Sequence, residues 1–271
     1  MKLGYATRSA RSVLLHPRQG AERVRGRIDR HHDQHELAAA GAPAAMLYRA
    51  GRDGAARLHA ALGAEWPCEA AAEFGPAWDA MVDDLSASGV HVGMASYGGW
   101  NDSDRTFAAA IWCVIAHLRP AQVLETGVAH GLTSRVILEA MRRNRAGELW
   151  SIDLPATDPA LHREIGVAVP PQLRSRWHYI EGTSRDRLPG VLDDLGEIEV
   201  FVHDSLHTGR NTRFELNRAW PRLRAGGAAV VDDIDHSLAF RDFVADAHPA
   251  SWIAARHITG PGLWGAAIKS E

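Results

Sequence analysis

A chain of 271 residues is long enough for one large α/β domain with an appended segment, and too short for two full-sized catalytic domains. Its formal net charge of -3 provides no global positive field to hold a polyanion by counterion release, which removes nucleic acid from the expected partners. Cys68 and Cys113 form no C-x-x-C or Cys/His spacing of the kind that marks redox or zinc chemistry, and no apolar stretch reads as an export signal or a membrane span, so a cytoplasmic protein without membrane contact is expected.

Residues 1–35 are rich in Arg and His, with little apolar periodicity. They read as a basic, solvated arm, or alternatively as a clamp for an anionic substrate. Residues 36–103 carry Leu37, Met46, Leu47, Leu58, Leu62, Trp78, Met81, Val82 and Leu85 at helical spacing, which predicts a small helical cap. The cap leads into a Tyr97-Gly98-Gly99-Trp100-Asn101-Asp102 loop that is expected to contact substrate. The catalytic domain is expected over residues 104–271, opening with a buried helix over 107–118 that is closed by Pro120.

Short apolar runs then alternate with amphipathic stretches. The runs are 122–125, 149–153, 178–181, 200–204 and 228–232, and a near-continuous apolar run of strand length is how a parallel strand covered on both faces looks in sequence. The two last runs, 252–258 and 263–268, are joined by a Gly260-Pro261-Gly262 turn too short for a helical crossover, which predicts an antiparallel hairpin. The fold class is therefore α/β: a Rossmann-like, mostly parallel sheet with an antiparallel C-terminal hairpin and an N-terminal helical cap.

In such a sheet ligands gather at the carboxyl ends of the strands, beside the point where the strand order reverses. Glu125 ends the first strand and opens an E-x-G-x-x-x-G turn through Gly127 and Gly131, where a carboxylate repels a pyrophosphate but suits a ligand with an amino group. Asp153 ends the second strand about 20 residues past Gly131, the distance at which an acid takes ribose hydroxyls. Thr183 and Ser184 follow the third strand and either line an adenine pocket or cap the next helix. The fourth strand ends in Asp204 with His207 three residues on, and the fifth in Asp232-Asp233. His130, His203 and His236 also fall near strand ends as competing bases, although strand alternation turns His203 inward.

This ordered set from Glu125 to Asp233, with the Gly226-Gly227 turn and the closing hairpin, resembles class I S-adenosylmethionine-dependent methyltransferases, and most of all the metal-dependent macrolide-sugar O-methyltransferases. The similarity spans approximately residues 104–269. It implies a cofactor, S-adenosylmethionine, held by Glu125, Gly127, Gly131 and Asp153; a magnesium ion on Asp204, Asp232 and Asp233; and His207 as general base, with Asp204 beside it in the catalytic set. Magnesium is a hard ion that takes oxygen ligands, and coordination of an acceptor hydroxyl stabilises its developing charge while neutral His207 accepts the proton. The alternative roles are structural: Asp233 as a helix cap, His207 as a core histidine, Asp204 as a wall of the cofactor site. The expected activity is O-methylation of a hydroxyl on a small molecule, a sugar or glycosylated metabolite, by a monomer or homo-oligomer. The rivals are a metal-independent methyltransferase using His207, an NAD-dependent oxidoreductase, and a non-catalytic S-adenosylmethionine-binding protein. The oxidoreductase is disfavoured because G-x-G-x-x-G is absent, and the binding protein because the acids and His207 are retained.

Overall fold

The computed structural model describes residues 17–93, 95–97, 101–156, 158–258, 260 and 262–270, with side chains from residue 20 onward. Among the described residues four helices precede the long buried helix: α1 (Pro17–Ala39), α2 (Ala44–Leu47), α3 (Gly54–Ala61) and α4 (Glu69–Ala87) lead to α5 (Arg105–Leu118). The basic arm is helical from Pro17 onward, with most of its side chains over residues 21–35 exposed; Arg8 and Arg11 lie outside the described residues. Tertiary bonds supply what the apolar pattern lacks. Asp33 is buried and accepts from Gly209 N at 2.9 Å, and Arg23 donates to the Pro155 carbonyl.

Helix α5 starts where Asp104 accepts from Thr106 N at 2.7 Å, and it ends at Arg119 in the left-handed conformation before Pro120. Strands and helices then alternate: β1 (Gln122–Thr126), α6 (Leu132–Asn144), β2 (Glu148–Asp153), β3 (Trp177–Glu181), α7 (Ser184–Leu195), β4 (Ile198–His203), α8 (Gly209–Ala219), β5 (Leu223–Val231), α9 (Ala239–Ala247), β6 (Ser251–Arg256) and β7 (Leu263–Ile268). The sheet order is β3-β2-β1-β4-β5-β7-β6; the first five strands are parallel, and β7 runs antiparallel to both neighbours. The order reverses between β1 and β4, so the crevice expected for a ligand opens at their carboxyl ends.

Strand alternation divides the core. Val123, Val200, Ala228 and Ala266 face one layer with α3, α4, α5 and α6, while Leu124, Phe201, Ala229 and Ala267 face the other with α7, α8 and α9. Leu58, Trp78, Met81 and Leu85, read from sequence as a cap, are buried in the first layer; Met46, from the same pattern, is exposed. The small helices α3 and α4 therefore widen a helical layer of the sheet. The segment after α4 reaches the strand ends, where Tyr97 packs edge-on to His130 at 5.0 Å between ring centroids and Asp102 bonds His130. Gly98, Gly99 and Trp100 of this loop, and Pro261 of the hairpin turn, lie outside the described residues.

Candidate active site at the strand ends

The register of three neighbouring strands builds the rim of the crevice. Thr126 pairs with His203, and His203 with Val231, so the next residues, Gly127, Asp204 and Asp232, stand side by side one position beyond the sheet. Backbone bonds carry the ladder that one step further: Asp204 N donates to Thr126 O at 2.9 Å, and Asp232 N to His203 O at 2.9 Å. Gly127, at φ +91°, is required by this crowding, since a Cβ there would lie 1.9 Å from the Asp204 carbonyl oxygen. Gly131, at φ +84°, likewise answers to protein, with a Cβ position 2.8 Å from Gly166 Cα. The close approach read from sequence as an approach to a ligand is, at both glycines, an approach to the chain itself.

Glu125 is fully buried. Its Oε2 accepts from Ser134 Oγ and Ser151 Oγ, both at 2.6 Å, while Oε1 has no partner among the described residues. Burial pushes its carboxyl up to about 7 against the two hydroxyl bonds. Asp153 accepts from Ala129 N at 3.1 Å and is raised to about 6, again by burial, with backbone N–H groups of Ala129, Val128 and Leu154 opposing. Thr183 caps α7: its Oγ1 accepts from Asp186 N at 3.1 Å and donates to the Asp186 carboxylate at 2.8 Å. Ser184 Oγ donates to Asn211 Oδ1 at 3.3 Å. Of the two roles open for Thr183, the cap is the one its bonds describe.

Asp204, His207 and Asp232 each bring one donor atom within 4.8 Å of the others, as do Asp232, Asp233 and His257, and His207, Asp233 and His236. Among the described residues no such group contains Asp204, Asp232 and Asp233 together. The reason is local: Asp233 sits at φ +47°, and its Oδ2 lies 2.9 Å from His207 Nδ1 and 3.7 Å from His236 Nδ1. His207 Nε2 is buried, unpartnered and 3.7 Å from Asp204 Oδ1, and Asp232 Oδ1 lies 3.0 Å from His257 Nε2 without hydrogen-bond geometry. Thr133 Oγ1 donates to Asp204 Oδ2 at 2.8 Å.

The charges in this cluster press on one another. Asp204 is raised well above the usual carboxylate range, first by burial and then by Asp232. Burial opposes the charge on His207, yet the hydrogen bond and charge of Asp233, with Asp232 and Asp204, push its pKa up to about 9. Burial also works against ionisation of Asp233, but the His207 bond and charge hold it well below the usual range. Two carboxylates beside an imidazole, one of them with an unpartnered buried oxygen, make a site that a cation would relieve, and the oxygen donors of Asp204 and Asp232 fit a hard divalent ion.

The competing histidines are otherwise engaged. His203 is buried and bonds Glu215 Oε2 at 2.6 Å and Thr212 Oγ1 at 3.1 Å. His130 lies between Asp102 (3.1 Å) and Glu164 (3.4 Å), and His236 is about half exposed. The residues that sequence reasoning passed over are Thr133, His257, Glu215 and Glu164, the last of which lies against His130 opposite Asp102. Thr133 carried a signal, standing two residues past Gly131 at the start of α6. For His257 the signal was the expected hairpin, which docks beside β5 and brings the end of β6 to Asp232.

Residues 124–234 match a family model described as a methyltransferase domain. No curated sequence relative matches the chain. The fold is similar to an O-methyltransferase from Bacillus cereus solved with SAH, at 12% identity and a TM-score of 0.54 over 76% of this chain and 93% of that one. It is also similar to the O-methyltransferase TomG from Streptomyces achromogenes, involved in tomaymycin synthesis and solved with SAM, at 15% identity and a TM-score of 0.50 over 75% and 91% of the two chains.

Proposed function

We propose, from the match of residues 124–234 to a methyltransferase-domain model, that this chain is a class I enzyme that transfers the methyl group of S-adenosylmethionine to a hydroxyl of a small molecule, a sugar or glycosylated metabolite, with magnesium assistance. The observation that carries the reading is the convergence of Asp204, His207 and Asp232 on the rim beside the β1 turn, with His207 Nε2 buried and without a hydrogen-bond partner.

Glu125 Oε1, a buried carboxylate oxygen without a donor, suits the amino group of the cofactor, and Asp153 next to it suits the ribose hydroxyls. Asp204 and Asp232 would hold the ion, which when bound polarises the acceptor hydroxyl and stabilises its alkoxide character. Asp233 grips His207 Nδ1, which fixes the ring and aims Nε2 at the space beside Asp204. From there Nε2 would accept the proton of the acceptor hydroxyl, and bound S-adenosylmethionine would supply the methyl group. The base role needs His207 without its proton; Asp233 is the main cause that raises it, and a cation held by Asp204 and Asp232 would offset the smaller contributions of those two carboxylates. In-line transfer then depends on positioning, for which the Tyr97 and Asp102 segment over His130 is placed to select the acceptor.

The remaining expectations stand as part of this reading: a cytoplasmic protein, alone or as a homo-oligomer, with neither nucleic acid nor membrane as partner. Among the described residues no helix is long and apolar enough to cross a membrane. The test is incubation with labelled S-adenosylmethionine and a panel of hydroxylated acceptors, with and without chelator, beside calorimetry of S-adenosylmethionine against NAD. Preference for NAD would end the methyltransferase reading, and full turnover in chelator would remove the ion from it.

A further inference from the structure

At the other end of the sheet three side chains from three different segments meet. His59 lies near the end of α3, Cys68 is the residue before α4, and His117 is on the last turn of α5, just ahead of the amino end of β1. His59 Nε2 is 3.1 Å and His117 Nε2 3.3 Å from Cys68 Sγ, and all three donor atoms lie within 4.8 Å of one another. We propose that His59, Cys68 and His117 form a binding site for one zinc ion, distinct from the strand-end site.

The ligand chemistry is that of zinc, a borderline-soft ion bound by thiolate sulfur and imidazole nitrogen, and it is poorly matched to magnesium. Ideal Zn–S and Zn–N lengths in a tetrahedron place sulfur and nitrogen about 3.6 Å apart, so the observed separations need to open by only a few tenths of an ångström. His59 is preset for the task. Its Nδ1–H donates to Ala55 O at 2.7 Å, which leaves the lone pair of the neutral ring on Nε2, facing the sulfur; such an outer bond orients a metal-binding histidine. Cys68 is preset as well, since its Sγ accepts from Ala71 N at 3.3 Å at the start of a 19-residue helix, which holds the sulfur facing the two imidazoles.

Nearby groups leave room for the ion's charge. Arg143 is held by Glu69 and Glu73, and Cys113, one turn before His117, is kept as a buried thiol with its pKa pushed up to about 12, first by burial and then by Cys68. Cys68 and His117 are only partly buried, so solvent reaches the fourth position. Without metal, the Cys68 S–H donates to His59 Nε2 and the sulfur accepts from Ala71 and from the protonated nitrogen of His117. On binding, the thiol proton leaves to solvent, the His117 proton moves to its other nitrogen, and zinc takes the three freed lone pairs.

The test uses the full chain stripped of metal, with magnesium in large excess to fill the strand-end site. The expected result is one equivalent of zinc bound, and with cobalt in its place a thiolate-to-metal charge-transfer absorption that survives in Asp232→Asn and disappears in Cys68→Ser. Zinc affinity in Cys68→Ser and His117→Ala should fall by more than the roughly 10- to 100-fold that loss of an outer partner costs. Should the variants not fold, wild type decides alone: zinc should shield Cys68 from alkylation. A cobalt complex without the thiolate band, or Cys68 equally reactive with and without zinc, would overturn the site.

Discussion

Glu215 on α8 is the anchor beneath the rim, and its removal is the sharpest test of the structure. The buried carboxylate accepts from Thr126 Oγ1 at 2.6 Å, His203 Nδ1 at 2.6 Å, Asn211 Nδ2 at 2.8 Å and Ser205 Oγ at 2.9 Å. It thereby ties the ends of β1 and β4 and the segment carrying Asp204 to α8. Burial disfavours its charge, but His203, through its charge and bond, together with hydroxyl donors, brings the pKa down to about 2 from 4.5. A folded-state pKa below the unfolded one adds stability that is complete above the unfolded value and drains away as the pH falls towards the folded one. At 1.36 kcal/mol per unit this group contributes about 3 kcal/mol at neutral pH, lost between roughly pH 4.5 and 2. Glu215→Ala strands a buried partner and three further donors, a loss of about 3–5 kcal/mol, or a fall in Tm of about 6–20 °C for a chain of this size. Calorimetric melts of wild type and variant from pH 7 down to pH 3 provide the assay. The gap should be wide at pH 7 and shrink progressively as the pH falls below about 4.5 towards 3. A variant melting within about 2 °C of wild type at pH 7, or a gap independent of pH, would refute the account of Glu215 as a buried, ionised anchor.

Four other outcomes follow from the site. His207→Ala should retain the fold and cofactor affinity yet lose about 10²- to 10⁴-fold in turnover, the usual share of a positioned general base; rapid single-turnover methyl transfer by this variant would remove His207 from the chemistry. Asp232→Asn should raise the magnesium concentration needed for half-maximal activity while leaving S-adenosylmethionine affinity within a few-fold, both readable by titration calorimetry. Gly127→Ala, forced into the Asp204 carbonyl at a positive φ, should lower Tm and activity together, and its crystal structure should show Asp204 displaced. Deleting residues through Ala39 should lower Tm and S-adenosylmethionine affinity, because Arg23 holds the Pro155 carbonyl just past Asp153 and Asp33 holds Gly209; unchanged binding by the truncated chain would make α1 a bystander.

The parallel strands were legible because burial on both faces leaves near-continuous apolar runs, and the hairpin because its connection is too short for a crossover. Asp204, His207 and Asp232 were legible because a residue's place at a strand end is a local property. The grouping of the acids was not. Asp233 follows Asp232 directly, yet a left-handed backbone conformation turns its carboxylate to His207, and sequence gives no warning of that in a non-glycine residue. The helix over Pro17–Ala39 was missed because it is stabilised by distant partners, Gly209 and Pro155, rather than by an apolar stripe of its own. Spacing also hid the His59, Cys68 and His117 cluster, whose members come from three segments that only the helical packing unites.

The rim formed by Gly127, Asp204 and Asp232 separates what must stay constant from what can change. Adjacent strands are held about 4.8 Å apart by their ladders, so the interval between Asp204 and Asp232 is set by the sheet and not by any loop. Among the described residues of the loop, Tyr97 and Asp102 meet this end of the sheet at His130. Substitutions there can reshape the acceptor space without altering the spacing of the acids, so a library confined to that segment is the economical way to retarget the protein. Any change that slips β4 against β5 by one residue would place His203 where Asp204 stands, and no adjustment of the loop could restore the site.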